Sequence, residues 1–256
     1  MHVAVVLRLV PDLAEELEIA EDGSDIDREW VGMKLNEFDD HALEQAVLLK
    51  EQAGASVTAV ALDGEGVDKL LQSAIARGAD RIVKVSHEGL PPLPAASSIA
   101  ALLAPAASAL DADVVLTGVQ TPEDVGGQLA AALGARLGWP HVSAVAGVQA
   151  GAGGLTVRQE HSGGYATQVL VPTPAVLGIQ AASQPPRYVS GSKLRQAMGA
   201  KAEVLSGGEY AAEPVAALRA LAKPALGGGA ALWDGDADQV ADQFLALLRE
   251  RGLLKG

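Results

Sequence analysis

The regular alternation of apolar runs with helix-like segments is the feature that most constrains the fold of this chain. Runs that are apolar throughout, without polar alternation, are typical of strands buried on both faces of a parallel sheet. Alternating strands and helices imply right-handed crossovers and a sheet covered by helices on both sides. The sequence therefore predicts an α/β fold. The apolar or mostly apolar runs before residue 120 are 3–10, 57–62, 81–85 and 114–116.

Helices are predicted between these runs from apolar positions at helical spacing and from residues that favour helix ends. The first should begin at Asn36 and end at Gly54. The others should span 67–77, an Ala- and Leu-rich segment that reaches Leu110, and 128–137.

The pattern changes after Trp139, where short β-type runs follow one another. They predict one strand that continues the sheet and an antiparallel ribbon with a turn at 162–164. After residue 186 the pattern weakens, leaving at most a short helix at 215–221 and an amphipathic helix at 237–251. We therefore expect a nucleotide-binding α/β domain over 1–186, followed over 187–256 by a loop and an extended arm that pack on another subunit.

A glycine-bearing loop at 118–127 joins the fourth apolar run to its helix. The first amides of a helix lack intrahelical acceptors and favour an anion, and Gly126 and Gly127 allow a phosphate to approach the main chain. The loop matches neither the P-loop nor the dinucleotide fingerprint. Glu123 and Asp124 fit a helix start or ribose hydroxyls better than they fit a bare polyphosphate. Because ligands bind beyond the carboxyl ends of parallel strands, the loops after the first, second and fourth runs should share one nucleotide crevice.

No reactive side-chain set stands out in the sequence. The five histidines have no metal-binding spacing, cysteine is absent, and no GxSxG motif occurs. Adjacent residues such as Glu123 and Asp124 rarely face one reacting atom, which disfavours acid–base catalysis there. The chain is thus predicted to be a carrier or binding subunit whose chemistry belongs to a cofactor.

The negative net charge of the chain limits the classes of partner that we expect. A formal net charge of −13 disfavours nucleic acid and anionic membranes, because both require basic surfaces. No signal peptide is recognisable, and no apolar run reaches the roughly 18 residues of a membrane helix. These features predict a soluble cytoplasmic protein.

Several segments, taken in their order and spacing, carry a resemblance to one protein family over nearly the whole chain. Four of them are VAVVLRLVPD (3–12), LNEFDDHALEQAVLLKE (35–51), SAIARGADRIVKV (73–85) and DVVLTGVQTPEDVGGQLAAALGARLGWP (113–140). The others are residues 155–179 and PRY at 186–188. Together they resemble the β subunit of electron transfer flavoproteins, in which 155–179 is similar to the signature region and PRY to the entry of the partner-facing loop.

The resemblance implies a Rossmann-like sheet of the adenine-nucleotide α-hydrolase type and a heterodimer with an α subunit that holds most of the redox-active FAD. The β subunit binds AMP in conventional members and a second FAD in the electron-bifurcating branch. It implies phosphate contacts from Gln128 and the amides of 125–129, and an adenosine contact from Asp39 or Asp63. The implied nucleotide contacts are Val6, Asn36, Phe38, Asp39, Leu62, Asp63, Gly118, Gln120, Thr121, Glu123, Asp124, Val125, Gly126, Gly127, Gln128 and Leu129.

The resemblance also implies electron transfer from a flavin dehydrogenase to a membrane quinone reductase, with the dehydrogenase docking at 189–198 (VSGSKLRQAM). The chain departs from the family pattern in four places. Leu13 follows Asp12 where some members carry a tyrosine. Glu37 replaces the usual proline after Asn36, Val125 replaces an acidic residue, and the docking loop differs, which suggests a donor other than the acyl-CoA type. Two alternatives remain open: a bifurcating subunit that oxidises NADH at a second FAD, and a stand-alone regulatory homodimer of the same fold.

Overall fold

The structure is a computed structural model that describes residues 1–90, 94–209, 220–225 and 227–254. Contacts within the chain divide it into two compact units, Met1–Leu221 and Ala222–Gly256. The strands are β1 (His2–Val6), β2 (Leu9–Pro11), β3 (Met33–Leu35), β4 (Ser56–Leu62), β5 (Arg81–Ser86), β6 (Val114–Gly118), β7 (His141–Gly151), β8 (Gly154–Glu160), β9 (Ala166–Val171), β10 (Ala175–Ile179) and β11 (Glu203–Ser206). The α-helices are α1 (Glu37–Ala53), α2 (Val67–Arg77), α3 (Ala96–Ala109), α4 (Leu129–Leu137), α5 (Gly191–Ala197) and α6 (Ala237–Glu250).

The predicted α/β fold is confirmed. Within the described residues, the main sheet contains nine strands in the order β11-β5-β4-β1-β6-β10-β7-β8-β9. Neighbouring strands from β11 to β7 are parallel, and β7, β8 and β9 form the predicted antiparallel ribbon. Strand β10 follows the ribbon in sequence but lies between β6 and β7. A separate two-stranded antiparallel sheet pairs β2 with β3.

Alternate residues of the central strands supply two core layers. Val3 and Val5 of β1 pack with α1 and α2 on one face, whereas Ala4 and Val6 pack with α3 and α4 on the other. All five residues of β6 and of β10 are buried, which explains why these strands are apolar apart from Thr117. Burying one large aliphatic side chain contributes about 1.5–3 kcal/mol, so the core stabilises the strand ends that carry the site.

The helix boundaries follow the predicted end signals closely. Helix α1 ends at Gly54 in the left-handed conformation, and α2 is followed by Gly78. Asn36 occupies the position before α1, but its side chain makes no capping hydrogen bond. Its amide is instead engaged with a distant loop, as described below.

Strand β11 was not predicted and extends the first unit beyond residue 186. It pairs in parallel with β5, and its first two residues, Glu203 and Val204, are exposed. A short exposed strand at a sheet edge lacks the apolar run by which buried strands are recognised. The predicted helix at 215–221 falls largely on residues 215–219, which lie outside the described residues.

The second unit is built around α6, whose bounds agree with the predicted helix. Asp236 and Gln239 form a capping box at its start. The rings of Trp233 and Phe244 lie with their centroids 6.2 Å apart. Among the described residues, no helix combines the length and apolar character needed to cross a bilayer.

Candidate functional site

A cavity of about 250 Å³ lies at the carboxyl ends of the parallel strands. The loops that follow β1, β4 and β6 all contribute to it, as predicted from the position of strand ends in such sheets. Its lining residues are Val6, Leu7, Arg8, Leu9, Val10, Leu62, Asp63, Gly64, Glu65, Val67, Leu90, Pro94, Ile99, Leu103, Thr121, Glu123 and Asp124.

The cavity lining combines apolar and acidic surfaces. Ile99 and Leu103 of α3, together with Leu90 and Pro94 before that helix, form an aliphatic wall. Carboxylates from the β4 and β6 loops contribute most of the charge, with one guanidinium from Arg8. Such a lining suits a ligand with a flat ring and a separate polar part, because apolar surface covers the ring and a few polar groups orient the molecule.

Arg8 and Asp39 form a buried ion pair behind this lining. Arg8 Nε donates to Asp39 Oδ2 at 2.9 Å, and Arg8 Nη2 donates to Asp39 Oδ1 at 2.7 Å. The Asp39 carboxylate also accepts from the backbone amides of Arg8 (2.9 Å) and Gly118 (2.8 Å). Since the Asp39 side chain is fully buried and accepts four hydrogen bonds, its oxygens are engaged within the protein.

This ion pair joins three chain segments at one point. Arg8 follows β1, Asp39 lies in the first turn of α1, and Gly118 ends β6. Arg8 Nη2 also donates to the carbonyl oxygen of Gly118 at 3.1 Å. Asn36 Nδ2 donates to the carbonyl oxygen of Gln120 at 2.9 Å, which explains why Asn36 does not cap α1. The network therefore positions the start of the glycine-bearing loop.

The loop before α4 is held largely by Asp124. Its carboxylate accepts from the amide of Gln128 at 3.3 Å, and its carbonyl oxygen accepts from the amide of Gly127 at 3.1 Å. Thr121 Oγ1 accepts from the Asp124 amide at 2.9 Å. The Asp124 carboxylate thus bonds to the residue before α4, and the Gly127 and Gln128 amides donate within the loop.

Two glycines in this region are required by close approach of the main chain. A Cβ atom on Gly118 would lie 2.7 Å from the backbone nitrogen of Asp39, so β6 and α1 could not approach as they do. Gly127 has a φ of +60°, and a Cβ atom there would lie 2.6 Å from the carbonyl oxygen of Val119. Gly126 has no contact of this kind, because its nearest neighbours would be 3.7 Å away.

Asp63 is held in place by residues of β5 and the loop that follows it. Lys84 Nζ lies 3.2 Å from Asp63 Oδ1 and 3.2 Å from Asp68 Oδ1, and hydrogen bonds to these carboxylates raise the pKa of Lys84. His87 Nε2 lies 3.0 Å from the carbonyl oxygen of Asp63, while the Gly89 amide donates to His87 Nδ1. Nε2 is therefore the donor to Asp63.

The predicted site residues fall into three groups in the structure. Six of them line the cavity, namely Val6, Leu62, Asp63, Thr121, Glu123 and Asp124. Four belong to the hydrogen-bond network behind it, namely Asn36, Asp39, Gly118 and Gln120. The cavity lining found among the described residues does not include Phe38, Val125, Gly126, Gly127, Gln128 or Leu129.

Sequence reasoning missed two contributors to the cavity. Arg8 lies in the loop 7–12 that was expected at the crevice but was not named as a site residue, although a charged residue within an apolar strand run is itself a signal. The aliphatic wall from Ile99 and Leu103 was also missed. The strand-end rule that found the other loops applies equally to the loop after β5, which leads into α3.

Comparison with known proteins gave consistent results. A family model described as the electron transfer flavoprotein domain matches residues 25–223. Electron transfer flavoprotein subunit beta of Methylophilus methylotrophus is 32% identical over 204 residues, which cover 77% of this chain and 76% of the relative. The subunit beta of Clostridium acetobutylicum is 32% identical over 197 residues, with 76% and 74% covered. The mitochondrial subunit beta of Oryza sativa subsp. japonica is 29% identical over 207 residues, with 80% of each covered.

Proposed function

Because the chain belongs to the electron transfer flavoprotein β-subunit family, we propose that it is the β subunit of a heterodimeric electron carrier. In this proposal the α subunit holds FAD, a flavin dehydrogenase donates the electrons, and a quinone reductase accepts them. The observation that carries the proposal is the cavity at the strand ends, where loops after β1, β4 and β6 bring six of the expected nucleotide contacts together.

We propose AMP as the nucleotide of this cavity. A volume of about 250 Å³ is below the roughly 300–1,000 Å³ typical of sites that enclose drug-sized ligands. A nucleoside monophosphate therefore fits the cavity better than a second FAD does. The acidic lining also favours the ligand with fewer phosphates, because each added phosphate charge would face Glu65, Glu123 and Asp124.

Each part of the nucleotide has a suitable set of groups in this chain. Ile99 and Leu103 would cover the base and exclude water from one of its faces. Asp63, which Lys84 holds in place, would accept hydrogen bonds from the ribose, whereas the Asp39 carboxylate is already engaged with Arg8. The proposed phosphate donors are the amides of Val125 and Gly126, which lie outside the cavity lining but directly follow its residue Asp124 in the chain. The amides of Gly127 and Gln128 already donate to Asp124.

These assignments give the two subunits of the proposed heterodimer different roles. FAD, bound mainly by the α subunit, would supply the redox chemistry. The residues of this chain would bind the nucleotide and hold the end of the sheet in one conformation. Residues 189–198, which include α5, are the proposed docking loop for the dehydrogenase, and the second unit is the proposed arm that packs on the α subunit.

The proposal is tested by co-expressing the chain with an electron transfer flavoprotein α subunit and purifying the complex. The complex is then denatured, and the released nucleotides are identified and counted by mass spectrometry. We expect one FAD and one AMP per heterodimer. Two FAD per heterodimer would favour the bifurcating alternative, and a colourless homodimer without flavin would overturn the carrier function.

A Gly64→Leu variant tests whether the cavity is the AMP site. Gly64 lines the cavity, and a Cβ atom there meets its nearest neighbour, Val67, at 4.0 Å, so a side chain is accommodated at the cavity wall without a clash. The variant complex should lose AMP and keep the FAD of the α subunit. Retention of both nucleotides would place the AMP site elsewhere.

A further inference from the structure

We infer that Arg28 is a positioning residue that, through Glu123, holds segment 12–32 against the glycine-bearing loop and slows nucleotide release. The inference rests on the proposed nucleotide site, because Glu123 lines that cavity. Arg28 Nη2 lies 2.5 Å from Glu123 Oε1, and Arg28 Nε lies 2.7 Å from Asp25 Oδ2. One guanidinium therefore connects a carboxylate of the segment with a carboxylate of the cavity.

Segment 12–32 has internal structure that can transmit this contact. Its two ends are joined where the Asp12 amide donates to the Gly32 carbonyl oxygen at 2.8 Å. Its middle forms a bridge between Ile19 and Ile26. Its tip is joined to the chain near residue 221, where the Leu221 amide donates to the Gly23 carbonyl oxygen at 2.8 Å. Because the bonds at its ends and middle hold the segment together, Arg28 can restrain it as a whole, in addition to the bond at its tip.

Arg28 is the basic residue that neutralises the negative charge of the two segments where they meet. Residues 119–128 contain Glu123 and Asp124 and no basic residue, and Arg28 is the one basic residue in segment 12–32. Without a cation between them, two acidic segments repel each other. The acidic residues of segment 12–32 are Asp12, Glu15, Glu16, Glu18, Glu21, Asp22, Asp25, Asp27 and Glu29.

The ion pair between Arg28 and Glu123 is partly shielded from water. It is therefore stronger than a fully exposed pair but can still break and re-form. The side chains of Arg28 and Glu123 are 34% and 25% exposed. An ion pair of this exposure is weakened by salt and can open. We therefore expect the segment to regulate how fast AMP leaves, and the release rate of the wild-type complex to rise with ionic strength.

The test is a double-mutant cycle on the complete heterodimer, with AMP as the probe. Release of radiolabelled AMP is followed after addition of excess unlabelled AMP to the wild type, Arg28→Gln, Glu123→Gln and the double variant. Each single variant should release AMP about two- to fivefold faster, the range expected for a partly exposed ion pair. The double variant should be no faster than either single one. Additive effects, or unchanged release in both single variants, would overturn the inference.

Two further variants sharpen the result. The charge exchange Arg28→Glu with Glu123→Arg should restore slow release, which a purely structural role of either residue would not produce. Lys34→Gln is the matched control, because Lys34 pairs with Asp12 at 2.7 Å near the base of the segment and not with Glu123. Its release rate should equal that of the wild type.

The inference can also fail independently of the proposed function. If the wild-type complex contains no AMP, the proposed function is wrong, and hydrogen exchange of the same variants still tests the contact. Arg28→Gln should then increase amide exchange in residues 18–27 and 119–128. Unchanged exchange in both ranges would show that Arg28 does not restrain them.

Discussion

Arg8 and Asp39 form a bidentate ion pair at the junction of β1, α1 and β6, and the Asp39 side chain is fully buried. The pair links segments that are 31 residues apart in sequence. Because the two backbone amides that also donate to Asp39 belong to two different strand ends, the carboxylate holds the ends of β1 and β6 in place behind the cavity lining.

Replacing one member of this pair should be costly. Asp39→Asn removes the charge that neutralises Arg8, and breaking a buried pair on one side typically costs about 3–5 kcal/mol. Urea unfolding of the variant measures this loss. Glu203→Gln is the control, since the Glu203–Arg81 pair is about half exposed and should contribute no more than about 1 kcal/mol. Losses of equal size in the two variants would contradict the structural role of Asp39.

The two glycines before α4 should respond differently to alanine. Gly127→Ala places a Cβ atom against the Val119 carbonyl oxygen at a φ of +60°, and backbone strain of this kind costs about 1–3 kcal/mol. Gly126→Ala introduces ordinary contacts only and should leave stability nearly unchanged. Thermal unfolding of the two variants makes the comparison. A stable Gly127→Ala protein would show that the loop conformation differs from the one described.

Asp80 should make stability depend on pH in the acid range. Burial alone would raise the pKa of Asp80, but hydrogen bonds from Lys50 and the Val57 amide outweigh it and lower the pKa. The carboxylate therefore stabilises the fold above its ordinary pKa of about 3.9, and this contribution disappears as the pH falls through the lowered value.

The stability difference between the wild type and Asp80→Asn is the measurement for this prediction. It should be constant near neutral pH and shrink below about pH 4. Chemical unfolding at a series of pH values determines the difference. A difference that grows on acidification would contradict the sign of the pKa shift.

Glu44 should control the flexibility of the chain before the proposed docking loop. It is 5% exposed and accepts hydrogen bonds from the backbone amide and the guanidinium of Arg187. Glu44→Gln weakens this contact, so trypsin should cleave the peptide bond between Arg187 and the exposed Tyr188 several-fold faster. Glu51→Gln affects the more exposed partner of the same arginine and should change cleavage less. Equal cleavage rates in all three proteins would remove Glu44 from this role.

The elements of the fold were predictable where local sequence determines them. The apolar runs of β4 and β6 and the glycine that ends α1 are local signals, and the structure places these elements close to the predicted bounds. Strand β11 was missed because its pairing with β5, rather than its own composition, makes it a strand.

The site was predictable only in part, for a related physical reason. The convergence of loops follows from the rule for parallel sheets, but the bond between Arg8 and Asp39 depends on how β1 and α1 pack. The same holds for Asn36, a residue typical of helix starts whose side chain bonds instead to Gln120, 84 residues away. Interactions between distant segments leave no periodic pattern in the sequence.

The position of β10 between β6 and β7 affects how the chain can be made and shortened. Until residues 175–179 have left the ribosome, β6 and β7 have no common neighbour, and each presents an unpaired apolar edge. We therefore expect nascent chains at that stage, and truncated forms that stop before residue 175, to associate with one another through these edges. The sheet becomes continuous only after more than two thirds of the polypeptide has been synthesised.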